Sequence, residues 1–262
     1  KYFLPHAAGV AFSQNFYRWS PQIRQEDGFM RLVWGLGTRA VDRVDNDYPR
    51  LVALSHPMLR PEESPKAIRK YSQQYVDLID LEENEFKTVP AKDVLSGNYP
   101  VLRYLAQLDQ DGYLVPLRSK FMERDIENLV ITLDQLLQRT NLATLIRRML
   151  KILEKKYRSP VDTEFTVHLH DPQSLTPKLE ISLLQCRPQS HIKETVARLP
   201  QALYAEDIIF STRRMVPHGM VNDICYVVFV NPESYFSLGS SVERREVGRA
   251  VGRLNAILAE KN

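Results

Sequence analysis

The chain has 262 residues, 44% of them apolar and 26% charged, the composition of a soluble globular protein long enough for one large domain or two ordinary ones. Its 35 basic and 32 acidic side chains leave a formal charge of +3, so bulk electrostatics favours neither nucleic acid nor an anionic membrane, and neither is expected as a partner. Cys186 and Cys225 lie far apart without C-x-x-C spacing, which argues against a disulfide framework or a zinc site and suits a reducing cytoplasm. No apolar run nears the ~18 residues of a membrane span. The opening KYFLPHAAGVAF lacks the cationic start and long apolar core of a signal peptide, and without an initiator Met the sequence is expected to be a piece of a longer protein.

In chain order, AAGVAFS reads as a buried strand entering a turn, and a polar loop with Arg18, Arg24 and Asp27 follows. GFMRLVWGLG is a second strand ending in Gly35 and Gly37. That lone G-x-G lacks the third glycine of a dinucleotide fingerprint and the Lys-Ser/Thr of a P-loop, so by itself it reads as a tight turn. From Leu51 to Phe121 strands and turns alternate: QQYVDLIDL, EENE, EFKTV and DGYLVPL mark a β-rich middle. Lys87 and Lys120 could contact phosphate there, although a solvated face is the plainer reading. DIENLVITLDQLLQ and NLATLIRRMLKILEKKY carry helical spacing. The second helix is expected to bury Leu142, Leu145, Ile146, Met149, Ile152 and Leu153, with Asn141 as N-cap and Arg147, Arg148, Lys151 and Lys155 projecting away. No aromatic platform is interleaved with those cations, so a solvated face is preferred to nucleic-acid binding.

The run PVDTEFTVHLHDPQSLTPKLEISLLQCRP is where acidic, amide and guanidinium groups fall into register. DTEFTVHLH alternates with period two, placing Asp162, Glu164, Thr166, His168 and His170 on one side and Phe165, Val167 and Leu169 on the other. LEISLLQCRP is a second strand, and DPQSLTP supplies the turn. A hairpin closing symmetrically about Ser174 and Leu175, without a bulge, sets Glu164 opposite Gln185 and Asp162 opposite Arg187, and leaves Leu183, Ile181 and Leu179 opposite Thr166, His168 and His170. Carboxylates and an amide oxygen are hard ligands of the kind Mg²⁺ prefers, and a guanidinium grips phosphate in bidentate fashion. The chemistry implied is nucleotide phosphate handling. The same pattern also reads as an ordinary cross-strand ion pair with Glu164 and Gln185 simply solvated.

His168 and His170, with Asp171 beside them, form a conceivable transition-metal pair, but no third or fourth ligand can be named and outward-facing imidazoles are the simpler reading. Beyond them QSHIKETVARLP reads as a linker or transitional helix. LYAEDIIFST and GMVNDICYVVFV read as two apolar strands around VPHG, and SVERREVGRAVGRLNAIL as a closing helix, together a small α/β module. Arg213 and Arg214 could guide an anionic ligand, with a surface turn as the safer reading. No G-x-S-x-G elbow is present, and hydrolase chemistry has little support.

YRSPVDTEF followed by LLQCRP, together with AGVAFS and WGLGTRAVDRVDNDYP, resembles the phosphoenolpyruvate synthase and pyruvate phosphate dikinase family over roughly Ala7 to Pro188. Those enzymes carry D-x-E-[FW], L-Q-x-R and G-L-G-E in that ATP-binding domain, an ATP-grasp fold. Two departures are visible: Thr38 stands where the family has Glu, and Arg43 where it has Gly. The resemblance implies an α+β fold, the later part of an ATP-grasp-like nucleotide-binding region over residues 1–190, followed by the α/β module over 191–262. It implies ATP and Mg²⁺ as cofactors, with Glu164 and Gln185 at the metal and Asp162, Gln185 and Arg187 at nucleotide and phosphate. No catalytic residue is assigned within the chain. A phosphohistidine domain and a phosphoenolpyruvate/pyruvate-binding domain elsewhere in a parent protein would complete the phosphotransferase, and this chain alone is not expected to be active. The competing expectation is a noncatalytic regulatory or assembly module that keeps the fold.

Overall fold

A computed structural model describes residues 1–41, 47–62, 64–118, 126–174, 177–189, 204–211 and 224–259. Arg43, Lys120, Arg213, Arg214, Leu175 and most of the QSHIKETVARLP segment lie outside the described residues. Contacts divide the chain into two units, Lys1–Glu194 with Pro200–His218 and Thr195–Leu199 with Gly219–Asn262.

In the first unit the chain runs β1 (Tyr2–Phe3), β2 (Ala7–Phe12), β3 (Phe29–Val33), α1 (Thr38–Val41), β4 (Arg50–Ala53), α2 (Pro65–Lys70), β5 (Tyr75–Asp80) and β6 (Glu85–Pro90). It continues through α3 (Ala91–Val94), α4 (Leu102–Leu105), β7 (Ala106–Gln110), β8 (Tyr113–Pro116), β9 (Leu129–Ile131) and α5 (Asp134–Arg139). Helix α6 (Leu142–Tyr157) then feeds the hairpin of β10 (Val161–His170) and β11 (Lys178–Pro188). The strands form a five-stranded sheet of order β11-β10-β2-β3-β4 and two three-stranded sheets, β1-β5-β6 and β8-β7-β9. Every strand pairing is antiparallel and the helices occupy separate stretches, so the class is α+β, as expected.

The alternation read in β10 decides the two faces of the large sheet. Val161, Thr163, Phe165, Val167 and Leu169 are all buried, and the apolar ones join Ala7, Ala11, Met30, Leu32 and Val52 in a core packed under α6. The opposite face carries Ala8, Val10, Phe12 and Val33, with Ala40 of α1 against them, and then the polar residues of β10. Strand β2 is built from small residues because it is squeezed from both sides. A Cβ on Gly9 would lie 2.2 Å from the Arg31 carbonyl oxygen and 3.1 Å from the Phe165 ring.

Four expectations are corrected. DIENLVITLDQLLQ is not one helix: Leu129–Ile131 pairs with Ala106–Leu108 of β7, and Leu133 at φ 57° breaks the chain before α5. Tertiary pairing of an apolar, partly β-branched run overrides its helical spacing. In α6 the fully buried residues are Leu142, Ala143, Ile146 and Leu150, while Ile152 is 54% exposed, so the stripe is rotated from the one expected. Asn141 holds the N-cap position, but its side chain makes no cap hydrogen bond; the Thr140 hydroxyl accepts from the Leu142 N–H at 3.3 Å instead. The described residues of the two expected strands, 204–211 and 224–230, contain no strand. Ile209, Phe210, Ile224 and Phe229 are exposed there, so apolar composition alone does not make these segments strands.

The described part of the second unit contains α7 (Pro232–Ser237) and α8 (Ser241–Ala259), the latter over the expected stretch. Asn231 caps α7 by accepting from the Ser234 N–H at 3.0 Å. Ser240 and Glu243 form a reciprocal capping box at the start of α8. Among the described residues no helix is long and apolar enough to cross a membrane.

Candidate functional site

The β10–β11 register pairs Asp162 with Arg187 and Glu164 with Gln185, as the sequence arithmetic expects. Beyond Glu164 the register slips by one: Leu184 is a bulge, and Phe165 faces Leu183, Thr166 faces Ser182, His168 faces Glu180 and His170 faces Lys178. The expectation of Leu183, Ile181 and Leu179 opposite Thr166, His168 and His170 is therefore wrong. The bulge lets Leu179, Ile181 and Cys186 of one strand pack against the core while turning Gln185 and Arg187 to the other face. A signal for it stood in the sequence. Residues 179, 181 and 183 are apolar and 185 and 187 polar, a change of phase that a single unbroken period cannot hold against one core.

Asp162, Glu164, Gln185 and Arg187 line one cleft of ≈ 130 Å³ together with Val10, Phe12, Thr163, Val41 and Arg31. Arg187 donates from Nε to Asp162 Oδ1 at 3.2 Å and from Nη2 to Oδ2 at 3.3 Å, a bidentate pair whose guanidinium is 59% exposed. Glu164 is half-buried and Gln185 exposed. The floor beside them is aromatic: Phe12 stacks on Phe29 at 4.8 Å, and Tyr17 meets Phe29 edge-on at 5.4 Å. Arg31 of β3, directly across from Val10, was missed by the sequence reading because it sits inside an apolar strand without any motif around it.

The G-L-G-T corner is fixed from behind. Gly35 adopts φ +89°, and a Cβ there would lie 2.4 Å from Val76 Cγ2 and 2.7 Å from the Asp77 carbonyl oxygen. The Leu36 N–H donates to that same oxygen at 2.9 Å. Thr38 Oγ1 donates to Asp77 Oδ2 at 2.5 Å, Arg39 Nε donates to Asp77 Oδ1 at 3.0 Å, and Arg39 Nη1 pairs with Asp47. Thr38 is thus committed to a buried ionic network.

Other candidates fall away as ligand groups. Lys87 bonds Asp80 at 2.8 Å and Glu83 at 2.7 Å, and these carboxylates raise its pKa. On α6, Arg147 pairs with Asp27 and Lys151 with Glu154. His168 stacks on His6 at 4.2 Å and meets His170 edge-on at 4.8 Å, while His170 Nε2 lies 2.7 Å from Glu180 Oε2. His6 accepts the Leu169 N–H at Nδ1, and burial followed by its histidine neighbours lowers its pKa to about 4. Among the described residues no group of three or more His, Cys, Asp or Glu is arranged to hold a metal ion.

The chain matches, over residues 2–207, the family model described as pyruvate phosphate dikinase, AMP/ATP-binding domain. It belongs to that family. The family assignment makes this an ATP-grasp-like α+β nucleotide-binding domain of the phosphoenolpyruvate synthase and pyruvate phosphate dikinase type, with the cleft of β10 and β11 inside the matched span. No curated protein matches the chain.

Proposed function

We propose that the chain forms part of the ATP-binding domain of a phosphoenolpyruvate synthase-like phosphotransferase, which uses ATP and Mg²⁺ to phosphorylate a catalytic histidine elsewhere in the parent protein. The observation that carries this reading is the convergence of Asp162, Glu164, Gln185 and Arg187 on one cleft. The donor set fits Mg²⁺. That ion binds through one or two carboxylates plus substrate phosphates rather than through an all-protein cage. The Glu164 carboxylate makes no hydrogen bond or ion pair among the described residues, and the Gln185 amide oxygen adds a second hard donor on the adjacent strand. The cation, when bound, neutralises phosphate charge. Arg187 holds phosphate oxygens in its planar fork, and Asp162 orients that fork from across the strand pair. Such residues act by positioning and charge neutralisation, which is most of what phosphoryl transfer asks of a protein.

Calorimetric titration with ATP and MgCl₂ tests the reading. Metal-dependent heat in the wild type that Glu164→Gln abolishes is the expected result; no heat in the wild type overturns it. A noncatalytic module that keeps the fold is favoured by one observation, the tie of Thr38 to Asp77 where the family carries a glutamate. It predicts a silent titration.

A further inference from the structure

Arg31 sits on β3 between Met30 and Leu32, both fully buried, and its guanidinium lines the same cleft as Glu164 and Gln185. Several buried and half-buried arginines elsewhere in this unit are matched to acids: Arg39 to Asp77 and Asp47, Arg50 and Arg60 to Asp134, Arg147 to Asp27. Arg31 has no carboxylate partner among the described residues. Its interactions are one long hydrogen bond, Nη1 to the Ala40 carbonyl oxygen at 3.4 Å, and a position 5.8 Å from the Phe12 ring centroid. A guanidinium carries five N–H donors, so most of its capacity is left for solvent or a ligand in the cleft.

The opposite charge left over on this face is Glu164. The two stand on one rung of the sheet, Glu164 opposite Val10 and Val10 opposite Arg31, so a single strand bearing an apolar side chain separates them. Two strand spacings put their backbones ~10 Å apart, too far for a direct ion pair between facing side chains to be the obvious outcome, and about the span of a cation bound to a phosphate. The cleft is small beside the ~300–1,000 Å³ of ordinary small-molecule pockets, so what it encloses is the charged end of a ligand rather than a whole nucleotide.

We propose that Arg31 is a phosphate-binding residue of this cleft, gripping an oxyanion of a metal-bound polyphosphate whose cation sits on Glu164 and Gln185. The inference rests on the nucleotide reading above and adds to it a second guanidinium, on a different strand from Arg187. Arg187 is already held by Asp162, whereas Arg31 has only its long bond to the Ala40 carbonyl oxygen and keeps its other donors for the ligand.

The test is titration of the chain with ATP and with inorganic tripolyphosphate, each in MgCl₂, at a temperature well below the unfolding midpoint of every variant. Arg31→Met keeps the aliphatic stem against Phe12 and removes the charge. It is expected to weaken both ligands about ten- to a hundred-fold, the loss of a charge-assisted hydrogen bond, with the unfolding midpoint little changed. Arg31→Lys restores charge without the fork and is expected to recover part of that loss, which a merely structural role on Phe12 would not produce. A Met variant that binds as well as the wild type, or a Lys variant no better than Met, overturns the inference. If Arg187→Ala is weakened while Arg31→Met is not, the nucleotide reading survives and the role of Arg31 falls. If the wild type binds neither ligand, the nucleotide reading itself fails and takes the inference with it.

Discussion

Two carboxylate–guanidinium arrangements in the same unit have nearly the same chemistry and opposite consequences. Asp77 is 4% exposed, and its two oxygens are saturated by Arg39, Thr38 and Thr88. Asp47, the second acid on Arg39, also accepts the Gln74 N–H at 2.6 Å. Arg39, Asp47 and Asp77 are all buried, so none of these three can lose its charged partner without stranding a buried charge. Asp162 and Arg187 form a bidentate pair at the rim of the cleft, where solvent or a ligand oxygen can replace either member at little cost. Burial, not residue type, separates a structural ion pair from one available for binding.

The largest expected effect breaks the buried arrangement. Asp77→Ala leaves Arg39 short of one acid and Thr38 and Thr88 without their acceptor, and removing one member of a buried pair costs ~3–5 kcal/mol. Urea unfolding should show that loss, against at most ~1 kcal/mol for Asp162→Ala. Equal costs for the two substitutions would dissolve the distinction.

What the sequence made legible follows the same line. Strand identity at β5, β10 and β11 was readable because period-two patterns report which face is buried, and at β2, β3, β6 and β8 because short runs are bounded by glycines and turn residues. The cleft was readable at Asp162, Glu164, Gln185 and Arg187 because cross-strand neighbours are fixed by local register and the motif resembles a known family. The bulge at Leu184 escaped because counting from the turn assumes one residue opposite one residue throughout. Arg31 and the commitment of Thr38 to Asp77 escaped for a different reason. Both depend on contacts between segments distant in sequence, 39 positions apart in the case of Thr38 and Asp77, which no local pattern encodes. The apolar stretches 204–211 and 224–230 misled because strand propensity alone does not supply a neighbouring strand.

A smaller effect sharpens the comparison at the far end of β10, where the titrating group is an imidazole. His6 must keep Nδ1 unprotonated to accept the Leu169 N–H, and burial first, then His168 and His170, hold its pKa at about 4 against 6.5 for the free group. The unfolded chain therefore takes up a proton that the folded chain refuses. The stabilisation is complete above about pH 6.5 and is lost as pH falls toward about 4. With His6 only partly buried, solvent screening reduces the effect to about 1–2 kcal/mol. Unfolding midpoints at pH 7 and pH 4.5 should differ more for the wild type than for His6→Asn, whose amide oxygen can still accept the Leu169 N–H without titrating. Parallel pH dependences in the two proteins would remove His6 as the cause.

The smallest effect on stability is expected at the residue placed closest to ligand. Arg187 is more than half exposed, and its pair with Asp162 competes with water for both members, so Arg187→Ala should shift the unfolding free energy by no more than ~1 kcal/mol. Its effect on binding should be the reverse, because in a cleft already bordered by the Asp162 and Glu164 carboxylates a polyphosphate without that fork meets uncompensated negative charge. Differential scanning calorimetry and ATP–MgCl₂ titration on the same variant separate the two quantities. A variant that melts like the wild type and binds at least ten-fold more weakly places Arg187 at the ligand. One that loses stability and keeps its affinity would move the Asp162–Arg187 pair into the same structural class as Asp77–Arg39, and leave Glu164 and Arg31 as the charges on this face still in want of a partner.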